Sequence, residues 1–85
     1  MKFEFSRHAQ IEMTRRLIPE CLVNRIVQAP EQVVEEHGNV VCYQSITHEA
    51  GRPYLIRVMV NPTVEPAQIV TVYRTSKIGK YWRTT

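Results

Sequence analysis

The sequence contains no aspartate among its 85 residues. Its acidic side chains are all glutamate, and most of these fall in apparent helices or turns. That weighs against two-metal nuclease chemistry, which needs clustered carboxylates, and against hydrolysis by a paired carboxylic acid and base. Glycine is scarce, with three residues. No glycine-rich phosphate loop and no GxSxG elbow occur. Cys21 and Cys42 lack CxxC spacing, and His8, His37 and His48 lack HxxxH spacing, so neither a zinc site nor another metal centre is expected. Long apolar runs are missing too. The opening MKFEFSRHAQIEMTRR has no continuous hydrophobic segment of the signal-peptide kind, and nothing later approaches a membrane span. The resulting expectations are a cytoplasmic location, no membrane association, no cofactor, and two free thiols.

What is present suits one domain over residues 1–85, since a chain this short cannot enclose two cores. The net charge of +3 is unevenly spread. Arg74, Lys77, Lys80 and Arg83 fall in the last twelve residues with no acid among them, whereas everything before residue 74 holds seven bases against eight acids. Tyr81 and Trp82 interleave with these cations. A basic segment carrying aromatic rings suits phosphate contact combined with base stacking. A purely solubilising end, or a partner with acidic segments, would account for the same charges.

Along the chain, Phe3-Glu4-Phe5 alternates as a short strand does. Ser6 reads as an N-cap opening a helix from about Arg7 to Arg16. Ala9, Met13 and Leu17 recur every four residues as its apolar stripe. Pro19 suits the first turn of a second helix, with Leu22, Val23, Ile26 and Val27 as its buried face and Ala29-Pro30 as its end. From Gln32 the period changes to two. Strands are predicted over Val33–Glu35, Val40–Ile46, Tyr54–Val60 and Gln68–Thr75, with a turn at His37-Gly38-Asn39 and a loop from His48 to Pro53. The predicted fold is α+β, with two N-terminal helices packed on a three- to four-stranded antiparallel sheet.

The chemistry left by these exclusions is metal-independent acid–base catalysis. RNA cleavage through the 2′-hydroxyl needs a base, an acid, and cations for the phosphate charge that develops. Histidine is the side chain best suited to exchange protons at neutral pH, so His8 can fill either proton role. Arg16, two helical turns along the same column, is placed to bind the scissile phosphate, with Arg15 or Arg57 assisting. Tyr73, Tyr81 and Trp82 offer stacking surfaces, and a tyrosine hydroxyl can also hold a phosphate. A bland account covers the same residues. His8 can cap or bond locally, and Glu12 between His8 and Arg16 can turn the column into a surface ion-pair ladder.

Ser6-Arg7-His8-Ala9, then Met13, Arg16 and Ile18, resembles the opening pattern "HA, then RM, then R-G-I" of the family known as domain of unknown function 4258. Pro30-Glu31 after the second helix and Ile69-Val70-Thr71-Val72-Tyr73 also fit. Position 12, often arginine in that pattern, is Glu12, and the usual glycine at 17 is Leu17. The first removes a cation, and the second removes a helix-ending glycine. Members of the family resemble small RelE-like ribonuclease toxins in size and order of elements, an analogy at the level of fold. The resemblance implies His8, Arg16, Thr71 and Tyr73 as catalytic positions, Thr71 on its account alone.

The leading expectation is therefore a metal-independent ribonuclease, the toxin of a toxin–antitoxin pair. Its substrate would be RNA, held by Arg15, Arg57, Arg74, Lys77, Lys80, Tyr81, Trp82 and Arg83. An antitoxin protein would cover the site by adding a strand or laying a helix in a groove. The alternative is a non-catalytic nucleic-acid- or protein-binding module using the same basic surface.

Overall fold

A computed structural model of the chain describes residues 2–84. It begins with β1 (Phe3–Phe5), α1 (Arg7–Arg15) and α2 (Glu20–Gln28). The strands β2 (Gln32–Glu35), β3 (Val41–Glu49), β4 (Arg52–Asn61) and β5 (Ala67–Thr75) follow, and then a one-turn helix, α3 (Ile78–Tyr81). The sheet order is β1-β5-β4-β3-β2. Neighbours among β2 to β5 pair antiparallel, while β1 pairs parallel with β5, Phe3 opposite Ala67 and Phe5 opposite Ile69.

The expected three- to four-stranded antiparallel sheet under two helices is thus corrected. The sheet is five-stranded and mixed, and a third helix is present. The physical reason lies in Phe3-Glu4-Phe5. Its two rings pack against the core beneath α1, and its backbone takes up the otherwise open edge of β5. Three residues carry too little periodicity to fix a pairing direction, so only the tertiary structure reveals that the strand runs parallel to a partner more than sixty residues away.

Ser6 anchors this corner. Its hydroxyl accepts from the Ala9 N–H at 3.0 Å, capping α1, and donates to the Val70 carbonyl at 3.1 Å. The main core lies between the two longer helices and one face of the sheet. Ala9, Met13, Ile18, Val23, Ile26 and Val27 pack there on Ile56, Val58, Val60, Ile69 and Val72.

Two local expectations are also revised. Leu17 does not continue the apolar stripe of α1: it is 82% exposed and adopts φ 55°. The helix has already ended, with the Ile18 N–H bonded to the Met13 carbonyl and the Leu17 N–H to the Thr14 carbonyl. These are the paired bonds of a Schellman cap, which requires a left-handed residue where Leu17 stands. Ile18 enters the core in its place, at 4% exposure. The loop expected from His48 to Pro53 shrinks to Ala50-Gly51, because Glu49 pairs directly with Arg52. Both turn residues have positive φ, 51° and 78°, the signature of a type I′ hairpin.

Candidate functional site on the helix-free face

Strand alternation sends residues next to the core to the other side of the sheet. Gln32, Gln44, Arg57 and Tyr73 are register partners across β2, β3, β4 and β5, so they form one continuous row on the face away from α1 and α2. Val34, Cys42, Met59 and Thr71 form the adjoining row. The short α3 and the residues after it lie over this face.

Arg57 is the centre of the row. It is 3% exposed, although it carries a full charge in the middle of an apolar strand. Its Nε donates to Gln44 Oε1 at 2.8 Å and its Nη1 to the Tyr73 hydroxyl at 2.8 Å. Its Nη2 reaches Glu36 Oε1 at 3.4 Å. The Tyr81 ring centroid lies 4.4 Å from the guanidinium carbon, a cation–π contact, and the Tyr73 centroid lies 5.9 Å away. Tyr73 and Tyr81 meet edge to face, and Lys80 Nζ approaches the Tyr81 ring to 5.3 Å.

Burial pulls the Arg57 guanidinium down, but its bond to Tyr73 and the neighbouring Cys42, Tyr73 and Glu36 raise it above its ordinary range. Burial likewise raises Tyr73, against the opposing pull of Arg57, so the phenol stays protonated near neutrality. Burial pushes the Cys42 thiol up to about 11. It is an inert core thiol rather than a nucleophile.

Two glutamines tie the C-terminal segment down. Gln44 Nε2 donates to Gln32 Oε1 at 2.8 Å and to the Tyr81 carbonyl at 3.3 Å. Gln32 donates to the Arg83 carbonyl at 2.6 Å and accepts from the Arg83 N–H at 3.0 Å. Neither glutamine, nor Glu36, stands out in the sequence. The available signal is parity: once Arg57 is read as facing away from the core, its cross-strand neighbours follow from the register.

The structure gathers Arg57, Thr71, Tyr73, Tyr81 and the Lys80 ammonium on one side of the sheet. His8 and Arg16 are elsewhere. His8 is exposed on the first turn of α1, and α1 covers the Val72 face of β5 rather than the Tyr73 face. Arg16 donates to the Val72 carbonyl at 2.8 Å and pairs with Glu12 at 3.0 Å, while Arg15 pairs with the same carboxylate at 2.9 Å. Glu12 is buried beside them, so the ion pairs join Glu12 to Arg15 and Arg16 rather than to His8, and Arg16 fastens the group to β5. Arg74 lies on the helix side as well, bonded to the end of α1 and to Glu49. Lys77, Lys80 and Arg83 are exposed, and Trp82 is half-buried.

No cluster of metal-ligating side chains occurs among the described residues. No helix among them is long and apolar enough to cross a membrane.

A small mixed sheet with two helices on one face and a buried arginine–tyrosine row on the other defines an α+β domain whose polar face is built around one charge. Residues 5–74 match the family model described as a domain of unknown function (DUF4258), and the chain belongs to that family. The matched stretch ends before α3, so Lys77, Lys80, Tyr81, Trp82 and Arg83 lie beyond it. Comparison with curated proteins and with solved structures finds no match in either.

Proposed function

We propose that the chain is a binding module for single-stranded RNA, engaging it on the helix-free face. The observation that carries this reading is the placement of Tyr81 and Lys80 beside the Arg57–Tyr73 row, with the Arg83 backbone tied to Gln32 at the end of that row. Rings for base stacking and cations for phosphate thereby share one surface. Arg15, Arg16 and Arg74 are engaged in ion pairs or carbonyl contacts on the helix side and are not needed for it. The test is binding of a labelled single-stranded oligoribonucleotide as salt is varied. Replacing Lys77, Lys80 and Arg83 together by Ser is expected to weaken binding and to flatten the salt slope by about 0.7 for each phosphate no longer neutralised. An unchanged slope would reduce the segment to a solubilising end.

A second reading, a metal-independent ribonuclease of the RelE-like toxin kind with an antitoxin as partner, is favoured by the Arg57–Tyr73 contact. A guanidinium beside a phenol that stays protonated can stabilise phosphate charge and supply the proton taken by a leaving oxygen. His8 lies across the sheet from that pair, so catalysis on this reading centres on Tyr73. Cleavage in EDTA that falls about a hundredfold or more in Tyr73→Phe, and is unaffected in His8→Ala, would establish it. Absence of cleavage alongside retained binding leaves the binding module.

A further inference from the structure

The Arg57 guanidinium has an unusual setting. Its carboxylate partner Glu36 stands at 3.4 Å, well beyond the 2.7–2.9 Å of a strong charge-assisted bond. Its other contacts are a neutral amide, a neutral phenol and the face of Tyr81. The charge is buried at 3% exposure, and its one carboxylate partner is not held in a close bidentate pair. A phosphate would balance it better, because the planar fork of arginine matches two phosphate oxygens at once. The Tyr73 hydroxyl, which accepts from Arg57, keeps its own proton for a further oxygen.

The Tyr81 ring covers that guanidinium at 4.4 Å, and the cover is lightly built. α3 is four residues long and none of its residues is buried. The segment is held by Gln32 and Gln44 through hydrogen bonds to the backbone of Tyr81 and Arg83. Gln32 lies on β2, the edge strand of the sheet, where a side chain can swing away without disturbing a neighbouring strand.

We propose that Arg57 and Tyr73 form a phosphate-binding site, occluded by Tyr81, and that the segment from α3 to Arg83 is a lid latched by Gln32. The proposal rests on the RNA-binding reading and deepens it. When the latch opens, a backbone phosphate of RNA takes the place of the Tyr81 ring, and Tyr81 and Trp82 become free to stack on the flanking bases. The lid thus changes from occluding the site to supplying part of it.

The experiment uses the full chain, with Trp82 as its single tryptophan reporter. Gln32→Ala is expected to raise acrylamide quenching of Trp82 without ligand and to tighten binding of the oligoribonucleotide. If the closed form holds about nine tenths of the population, complete opening gains about tenfold. Tyr81→Ala removes a stacking ring, so it is read with pyrophosphate instead, and a similar gain is expected. Arg57→Lys in the Tyr81→Ala background should abolish that gain. Tyr73→Phe in the same background, which keeps the guanidinium, should reduce it severalfold. No gain for either ligand, or a pyrophosphate gain that survives both second substitutions, overturns the site. Unchanged Trp82 quenching in Gln32→Ala overturns the latch. Pyrophosphate binding without RNA binding leaves the phosphate site standing and removes the RNA reading. RNA binding that is indifferent to Gln32, Arg57 and Tyr73 does the reverse.

Discussion

Arg74 donates to the backbone carbonyl of Arg16 at 2.5 Å, and Arg16 donates to the backbone carbonyl of Val72 at 2.8 Å. The two arginines therefore lace the end of α1 to the end of β5 in both directions. Arg74 also reaches the Leu17 carbonyl and pairs with Glu49, fastening the β3–β4 hairpin to the same corner. Helix carbonyls left open at a C-terminus are thereby matched by a cation.

Arg74→Ala is accordingly expected to act on stability. The loss is about 2 kcal/mol, as befits hydrogen bonds made by a partly buried charge. Ser in place of Lys77 or Lys80, each exposed, should leave the denaturation midpoint nearly unchanged. Urea titration of the three variants separates the fastening arginine from the free cations. Equal, small effects from all three would show that the lacing contributes nothing.

Leu17→Gly is expected to stabilise the protein by about 1 kcal/mol, the cost of holding a non-glycine residue in the left-handed region. Little apolar burial is given up, because the side chain is largely exposed. Leu17→Ala, which retains a Cβ, should bring no such gain. A higher melting temperature for glycine alone would confirm that the backbone, not the side chain, sets the cost.

The hairpin at Ala50-Gly51 makes a parallel case. Asn tolerates positive φ better than Ala and favours the first position of a type I′ turn. Ala50→Asn is expected to add about 0.5 kcal/mol, read as a shift in urea midpoint with unchanged slope.

These two turns also mark where the sequence stops being legible. The Ser6 cap, the α2 face of Leu22, Val23, Ile26 and Val27, and the strand identities of β2 to β5 follow from period and capping chemistry, which act within a few residues. Period alone carries helix 1 too far, because Leu17 completes a four-residue repeat. Only the Schellman bonds show that the chain has turned and that Ile18 takes the buried place. For the site, Arg57, Tyr73 and Tyr81 are visible as residue types, but Gln32, Gln44 and Glu36 are not. Their role depends on cross-strand register and on a tail that returns over the sheet. For the same reason the sequence can offer His8 and Tyr73 for one candidate site without saying which face of a strand a helix covers.

Tyr73→Phe tests how far the buried row is structural. Removing the hydroxyl leaves Arg57 Nη1 without its 2.8 Å acceptor in a nearly dry setting. The expected cost is about 1–3 kcal/mol. Tyr43→Phe, on the helix side of the sheet, serves as the comparison. A Tyr73→Phe protein as stable as wild type would mean that water replaces the hydroxyl.

Cys42 sets the alkaline behaviour. Burial raises its thiol from an ordinary value of 9.0 to about 11, so the folded state holds its proton more tightly than the unfolded state. That contribution to stability is complete below about pH 9 and is lost as pH rises through about 11. Cys42→Ala should flatten the decline over this window relative to wild type. In the native protein at pH 8, iodoacetamide should label exposed Cys21 and spare Cys42. Labelling of Cys42 at a similar rate would show that the helix-free face opens readily.

The parallel pairing of β1 with β5 has a consequence for synthesis. Phe3 and Phe5 lie beside Ala67 and Ile69, and α1 packs on β5 as well, so two early elements of the domain have their main surface of contact on a strand made well after them. While the ribosome is still translating the middle of the chain, α1 has no platform, and a helix this short is marginal alone in water. The docking of β1 and α1 therefore waits for β5, whereas the β3–β4 hairpin is local and can pair before it. Until then the open edge of β4, which β5 will pair, is the part of the sheet most exposed to association with another chain.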